Sequence, residues 1–434
     1  MIGQQTGPSV AAKPQPTRPY RWAVLMAMAL AAYGSYYAFD CIGPLAPLLT
    51  RQLHFTDSNI GLLQAVYSFP NIVMVLIGGW IIDRIGAMRS VMLFAVVTFI
   101  GLVITALTPL LWVMALGRLV VGVGAESLAL ATIAGNVRWF RGKELSLSSG
   151  VKATILRFGS LTAQVSPTWG AGLYVYWQWP LLMSVGFGGL CVVFAALYWV
   201  LDRRGERLFD LGDPVAPEKT GPVSLRQMFS FPPSFWLITL ICVTFYSGIF
   251  PFQTFAQKFF IEAKHATPQT ASLLVGLLTI FTMVGTPLFG WVADRLGRRA
   301  LIMVIGSAML VPVYLVMAYT HVPLAIPMSV MGVAFSMVPA VMWPGLAYVV
   351  EERRIGFAIG VMDAVQQLGF VVFNLLIGAT NDHWGAGAAN PAGYSPGMWI
   401  FSATALVAVL LAFALRRIER GPCGHGLETF TVRG

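Results

Sequence analysis

The chain has 434 residues, 57% of them hydrophobic and only 11% charged, with a formal net charge of +10. Soluble domains carry roughly 25% charged residues, and a soluble chain this apolar would expose patches large enough to aggregate. Composition therefore excludes an ordinary soluble protein and points to a bilayer, whose hydrocarbon core, about 30 Å thick, takes about 20 apolar residues to cross.

Residues 1–19 are rich in Pro and Gln and have no apolar core, so they read as a disordered cytoplasmic tail rather than a signal peptide. Twelve apolar runs follow, at 21–49, 59–82, 90–108, 110–136, 145–170, 179–201, 233–260, 270–293, 300–318, 322–350, 355–378 and 395–417. Residues 90–136 and 300–350 are each taken as a helical hairpin. Every run must be helical, because an unpaired backbone group in lipid costs several kcal/mol. A barrel is excluded, since barrel strands alternate over about ten residues and these runs do not. The polar stretch 202–232 reads as a cytoplasmic linker between a six-helix bundle at 20–201 and a second at 233–418, with a cytoplasmic tail at 419–434.

The placement of charge explains its sign. Of the 28 Lys and Arg, only Arg51, Lys258 and Lys264 fall in the outside loops, and Arg118, Lys152 and Arg157 lie within spans. All others lie in the linkers, span ends and tails assigned to the cytoplasm. This is the positive-inside pattern, so basicity reports orientation and not a nucleic-acid partner. The expectation is a multi-pass protein of the inner (plasma) membrane with both termini cytoplasmic, with the bilayer and a small-molecule substrate as partners. The four cysteines show no metal-ligand spacing. The five histidines lie in loops, span ends or the tail, and no span pairs a nucleophile with a base. Neither a cofactor nor an enzyme activity is expected.

An internal repeat links the halves. "GGWIIDRIGAMRS" (78–90) follows the second span and "FGWVADRLGRRAL" (289–301) follows the eighth; both contain G-W-x-x-D-R-x-G. Gly79 and Gly290 suit close helix approach. Gly86 and Gly297 suit the left-handed turn that ends a helix. The same loop at the same place in each half implies parallel repeats related by an axis along the membrane normal. This doubled loop resembles the signature of the major facilitator superfamily. The resemblance implies an all-α fold of twelve helices in two six-helix pseudo-symmetric halves, moving by alternating access. It makes Asp83, Arg84, Asp294 and Arg295 candidate gating residues.

A charge at mid-bilayer costs at least roughly 2.5–3.5 kcal/mol on insertion scales, and the default reason for one is a partner or a substrate. The charges within spans are Asp40, Arg118, Glu126, Lys152, Arg157 and Asp363. At about 1.5 Å rise per residue, Glu126 in the fourth span and Arg157 in the fifth both fall near the midplane. Those spans are antiparallel neighbours across a short loop. Either the two charges pair to hold the helices together, or they hold a substrate; buried pairs rarely add net stability. Asp40 ends a stripe with Tyr33, Tyr36 and Tyr37, opposite Gln64, Tyr67 and Asn71 of the second span. Ser160 shares the face of Arg157. Asp363 begins a stripe with Gln366, Gln367 and Asn374, close enough to the cytoplasmic end to suggest an inner gate. Lys152 can snorkel to the cytoplasm.

"YYAFD" (36–40), "GRLVVGVGAESLALA" (117–131), "WFRGKELSLSSGV" (139–151) and "LRFGS" (156–160) resemble the lysosomal dipeptide-uniporter branch of that superfamily. Ala125 stands where that branch often has a glycine. The resemblance implies that Glu126 and Arg157 take the charged ends of a dipeptide, with Asp40, Tyr36, Tyr37, Tyr67, Gln64 and Ser160 around them. Arg118 resembles the superfamily's fourth-span arginine, which supports packing or coupling and is counted with the gate. The alternative is a proton-coupled carrier of organic anions, with Arg157 as the anion site and Glu126 or Asp40 as the proton site. The small-molecule partner is accordingly expected to be a dipeptide or an organic anion.

Overall fold

The computed structural model describes residues 13–210, 230–422 and 424–429. The first passage is α1 (Arg18–Asp40) with α2 (Ile42–Leu53), broken at Cys41. Pro44 has no N–H to return to the carbonyl of Asp40, which accounts for the break. The second passage is α3 (Asp57–Ser68) with α4 (Asn71–Ile85), parted at Phe69 and Pro70, and it bends by 56° between Val75 and Ile77. There follow α5 (Ala87–Leu107), α6 (Leu111–Phe140), α7 (Leu145–Gln164), the short α8 (Ser166–Trp169) and α9 (Gln178–Leu208). The second half comprises α10 (Pro233–Lys264), α11 (Pro268–Leu296), α12 (Arg299–Tyr319), α13 (Ala325–Val349), α14 (Ile355–His383) and α15 (Ser395–Glu419).

Ten of these segments are long and apolar enough to cross a membrane, and the bent second passage makes eleven. The expected twelfth, α7, is helical but less apolar, because Lys152, Arg157, Gln164 and several serines interrupt it. Ser148, Lys152, Ser160 and Gln164 of this helix are buried against protein rather than exposed to lipid.

The halves repeat each other in packing. In the first, the third passage packs on the fourth and sixth, the first on the fifth and sixth, and the second on the fourth. In the second half the same pairs recur: α12 with α13 and α15, α10 with α14 and α15, and α11 with α13. Loop details repeat as well. His54 and His265 both adopt φ 55° at a helix C-terminus. Two residues on, Thr56 and Thr267 each accept a hydrogen bond from the backbone N–H three residues ahead, capping the next helix. Gly86 and Gly297 close the signature loops at φ 85° and 64°. One apolar core lies in the first half around Val24, Leu128 and Tyr198; a larger one centres on Phe245, Tyr314 and Met342 of the second half and extends to Tyr37, Ile42 and Ile60 of the first.

Some boundaries move. α9 continues to Leu208 into the expected linker, and residues 211–229 of that linker lie outside the described residues. Of the N-terminal tail, 1–12 lies outside them, but 13–17 is tied down: Lys13 donates to the Glu206 carbonyl at 2.7 Å and Asp210 to the Pro14 carbonyl at 3.0 Å. The C-terminal tail also folds back. Leu427 is fully buried, its carbonyl accepts from Arg299 N–H at 3.0 Å, and Glu428 pairs with Arg416 at 3.2 Å. Both chain ends lie on one face of the bundle, called here the chain-end face; the other is the far face.

Candidate substrate cavity

A cavity of about 210 Å³ lies between the halves. The first half contributes Ser35, Tyr36, Phe39 and Asp40 from α1 and Tyr67 from α3. Glu126 and Ala125 reach it from α6, Arg157 and Ser160 from α7. The second half contributes an aromatic wall, Tyr246 and Phe250 of α10, Trp343 of α13 and Phe370 of α14, together with Asp363, Gln366 and Gln367.

Glycines seat the two charged helices. A Cβ at Gly122, one turn before Glu126, would run into the Tyr67 carbonyl, so α6 lies directly on α3. A Cβ at Gly159, just after Arg157, would meet the Tyr33 carbonyl, so α7 lies directly on α1. Close backbones of this kind fix where the adjoining long side chains emerge.

Glu126 and Arg157 line the same cavity without forming an ion pair with each other or with any other described residue. The Glu126 carboxylate has the Gln367 and Tyr67 side chains as hydrogen-bonding neighbours, and the charges of Asp363 and Arg157 both act on it. Arg157 instead lies over the Phe335 ring, 5.7 Å from its centre. Asp40 receives Gln164 Nε2 at 3.5 Å, and Gln164 Oε1 accepts from the Thr279 hydroxyl of the second half at 2.5 Å. The aromatic wall is braced internally: Trp343 Nε1 donates to the Tyr246 hydroxyl at 3.0 Å, and Tyr246 stacks on Phe250 at 5.6 Å. Three carboxylates and one guanidinium thus face a single space whose remaining walls are largely aromatic.

Two expected site residues lie elsewhere. Tyr37 is 1% exposed and stacks on Phe187 at 4.1 Å; it follows Tyr36 by one residue, and about 100° of helical rotation turns it into the core of the bundle. Gln64 is committed to Arg118, accepting from its guanidinium at 2.8 Å, and does not line the cavity. Arg118 is fully buried, donates to the carbonyls of Ala38, Phe39 and Leu63, and lies over the Tyr67 ring. Its position joins α1, α3 and α6 behind the cavity wall. Asp363, expected near an inner gate, lines the central cavity instead. On α14 Gly356 borders open space, Ala358, Gly360, Val361 and Met362 are buried, and Asp363 is the first carboxylate of that helix to reach the cavity.

That asymmetry between faces is marked. On the far face Lys258 of α10 pairs with Asp57 of α3, and Asn381 Nδ2 donates to the same carboxylate at 2.7 Å. Asp382 of α14 accepts from the backbone N–H groups of Asp57 and Ser58 at 2.8 and 2.9 Å, capping α3 from the opposite half. On the chain-end face Gly79, Gly150, Gly290 and Gly356 border open space. Gly79 and Gly290, expected to admit a close helix neighbour, have none with the halves parted there. Asp83 is exposed and makes no ion pair among the described residues, whereas Asp294 pairs with Arg299 at 2.8 Å. Arg84 and Arg295 each stack on the tryptophan four residues earlier, at 5.2 and 4.0 Å.

The sequence reading missed the far-face cluster and the aromatic wall. Lys258, counted with the outside loop at the very end of the run 233–260, lies well within α10, which continues to Lys264. Tyr246 and Trp343 sit in uniformly apolar helices, where no charge contrast singles them out.

Comparison with known proteins agrees with this fold. The model of the Major Facilitator Superfamily matches residues 28–261 and 252–426. The chain is 31% identical over 384 residues to the lysosomal dipeptide transporter MFSD1 of Danio rerio, covering 84% of this chain and 81% of that protein. To MFSD1 of Bos taurus it is 32% identical over 377 residues, covering 84% and 80%. Among solved structures, a variant of the nucleoside transporter NupG superposes with a TM-score of 0.74 at 12% identity, over 90% of this chain and 99% of that one. A bacterial homologue of the human lysosomal transporter Spinster, inward-facing and unoccupied, gives 0.73 at 16% identity over 93% and 98%.

Proposed function

The chain belongs to the major facilitator superfamily of membrane transporters, and from that premise we propose that it carries small zwitterionic solutes, dipeptides above all, by alternating access of the central cavity. The observation that carries this reading is that Glu126 and Arg157 share the cavity while neither is paired. Two desolvated charges of opposite sign, held apart, fit a molecule with an ammonium at one end and a carboxylate at the other. Arg157 presents a planar fork that binds a carboxylate through two parallel hydrogen bonds. Glu126 accepts from the ammonium. The aromatic wall tolerates varied side chains, because apolar contact makes no directional demand. The dipeptide transport printed in the names of the MFSD1 relatives supports the same substrate class.

The organic-anion reading fits less well. Asp40, Glu126 and Asp363 outnumber the single guanidinium of Arg157 in the cavity, and that surplus repels a simple anion. We assign the chain-end face to the cytoplasm, as the positive-inside pattern requires, and the membrane to the inner (plasma) membrane. On that assignment the face closed by Lys258 and Asp57 is the outer one. A thermal-shift screen of the purified protein against dipeptides, free amino acids and monocarboxylates tests the assignment, since a ligand of the folded form raises its stability. Dipeptides should raise Tm and monocarboxylates should not; the reverse result would overturn the proposal.

A further inference from the structure

Glu126 is not the only acceptor at its end of the cavity. Asp363 and Gln367 of α14 are one helical turn apart and line the same cavity as Glu126; Gln367 is a hydrogen-bonding neighbour of its carboxylate, and the charge of Asp363 acts on it. They come from the other half. No Lys or Arg among the described residues pairs with Glu126 or Asp363. Gln367 is 3% exposed, and its Oε1 has no hydrogen-bond donor. Leaving a buried acceptor unpaired is costly, and such atoms in a native structure call for an explanation. This end of the cavity therefore has two carboxylates and an unpartnered amide oxygen; Tyr67 and Gln367 donate to Glu126, but no cation among the described residues offsets the two carboxylates. An alkylammonium is the complementary group: it carries one positive charge and three N–H donors in tetrahedral array.

We propose that the substrate's ammonium is held jointly by Glu126 of the first half and by Asp363 and Gln367 of the second. This rests on the zwitterion reading above and extends it. Arg157 fixes the carboxylate end to the first half, and the ammonium end bridges the halves. Without a cation, Glu126 and Asp363 repel each other across the interface between the halves. With one, that repulsion becomes an attraction through a shared ligand, which gives substrate a larger free-energy gain in a closed form than in the open one. A ligand shifts a conformational equilibrium only by such a differential interaction. Asp363 and Gln367 are thus specificity-determining residues for the amine.

The test compares binding of alanyl-alanine and N-acetyl-alanyl-alanine to purified wild type, Asp363→Asn, Gln367→Met and Glu126→Gln, with Tm recorded for each. Wild type should bind the free amine at least about tenfold more tightly than the acetylated form. Asp363→Asn should lose most of that ratio through weaker binding of alanyl-alanine, with N-acetyl-alanyl-alanine little changed. Gln367→Met should reduce the ratio by a smaller factor, and it carries the test alone should Asp363→Asn fail to fold. A wild-type ratio that survives both α14 variants but collapses in Glu126→Gln would overturn the clamp and leave the zwitterion reading standing. Equal binding of the two probes to the wild type, or binding of neither, would overturn both.

Discussion

Lys258 of α10 and Asp57 of α3 form an ion pair across the two halves, with side chains only 4% and 1% exposed. Around it Asn381 and Asp382 of α14 bind the start of α3, and Glu262 lies 3.9 Å from Lys258 while accepting from the Tyr394 hydroxyl at 2.5 Å. The first half contributes a carboxylate and a helix N-terminus; the second contributes a lysine and a carboxylate. Each partner thus meets its electrostatic complement in the other half. The cluster closes the far face while the chain-end face stands open.

Breaking that pair on one side leaves a buried, uncompensated charge, which typically costs about 3–5 kcal/mol. The cost falls only on the conformation in which the far face is closed. Lys258→Met should therefore move the population toward a form open on the far face. Spin labels at Arg51 and Gln269, both exposed and on opposite halves, should move apart in this variant. Unchanged label distances with an intact fold would show that the pair does not hold the gate.

The signature loops should behave differently from each other. Asp83 is exposed and unpaired in this conformation, so Asp83→Asn should leave Tm within the range of ordinary surface changes, about 0.5 kcal/mol. It should nevertheless slow transport, because its partner is met only when the chain-end face closes. Substrate affinity should stay within a few fold. Asp294→Asn removes an existing pair with the buried Arg299 and should lower Tm as well as turnover. If Asp83→Asn abolished binding in a folded protein, the loop would belong to the substrate site and not to the gate.

The C-terminal segment straps the chain-end side of the second half. Glu419 accepts from the Ser234 hydroxyl at 2.6 Å, and Glu428 accepts from Leu301 N–H at 2.9 Å. Leu427 approaches Gly345 of α13, where a Cβ would stand 3.3 Å from its Cδ2. Three helices are thereby tied through a segment that sequence alone treats simply as a cytoplasmic tail. Leu427→Ala should cost about 2–5 kcal/mol, as for a buried leucine elsewhere, and should appear as a lower Tm of the detergent-solubilised protein. A chain ending at Gly421 should fall further. A Tm unchanged by either alteration would mean that the strap contributes nothing to the fold.

What the sequence discloses follows contrast. Charges stand out against apolar runs, so Glu126, Arg157, Asp40 and Asp363 are visible without coordinates, as is the repeat around Asp83 and Asp294. Depth along a helix is also legible, because rise per residue is fixed. Rotation about the helix axis is harder: Tyr36 faces the cavity and Tyr37 the core, though both belong to one tyrosine-rich stretch. Contacts between distant helices are not visible at all. Gln64 reads as a wall residue until Arg118 is seen to hold it. Lys258 reads as a loop residue until α10 is seen to continue beneath it. The aromatic wall has no signature, since Tyr246, Phe250 and Trp343 differ little in hydropathy from their neighbours.

The sharpest prediction concerns Glu126 and Arg157 together. Under the zwitterion reading, Arg157→Ala should remove recognition of a free carboxylate and Glu126→Gln recognition of a free amine. Truncating one member of a buried charge contact typically costs about 2–5 kcal/mol, so alanyl-alanine should bind more than tenfold less tightly to each variant. Its C-terminal amide should bind the wild type poorly and lose little more in Arg157→Ala; the N-acetyl form should behave likewise in Glu126→Gln. Were the two charges simply a pair holding α6 to α7, both single variants would lower Tm and a neutral double variant would restore binding. The unpaired placement of both side chains argues against that outcome. Under the organic-anion alternative, Glu126→Gln would still exchange substrate and would lose only its coupling to protons. Affinity, Tm and proton flux on two variants therefore separate the three mechanisms. An Arg157→Ala protein that bound alanyl-alanine as tightly as the wild type would remove the anchor of the proposed function.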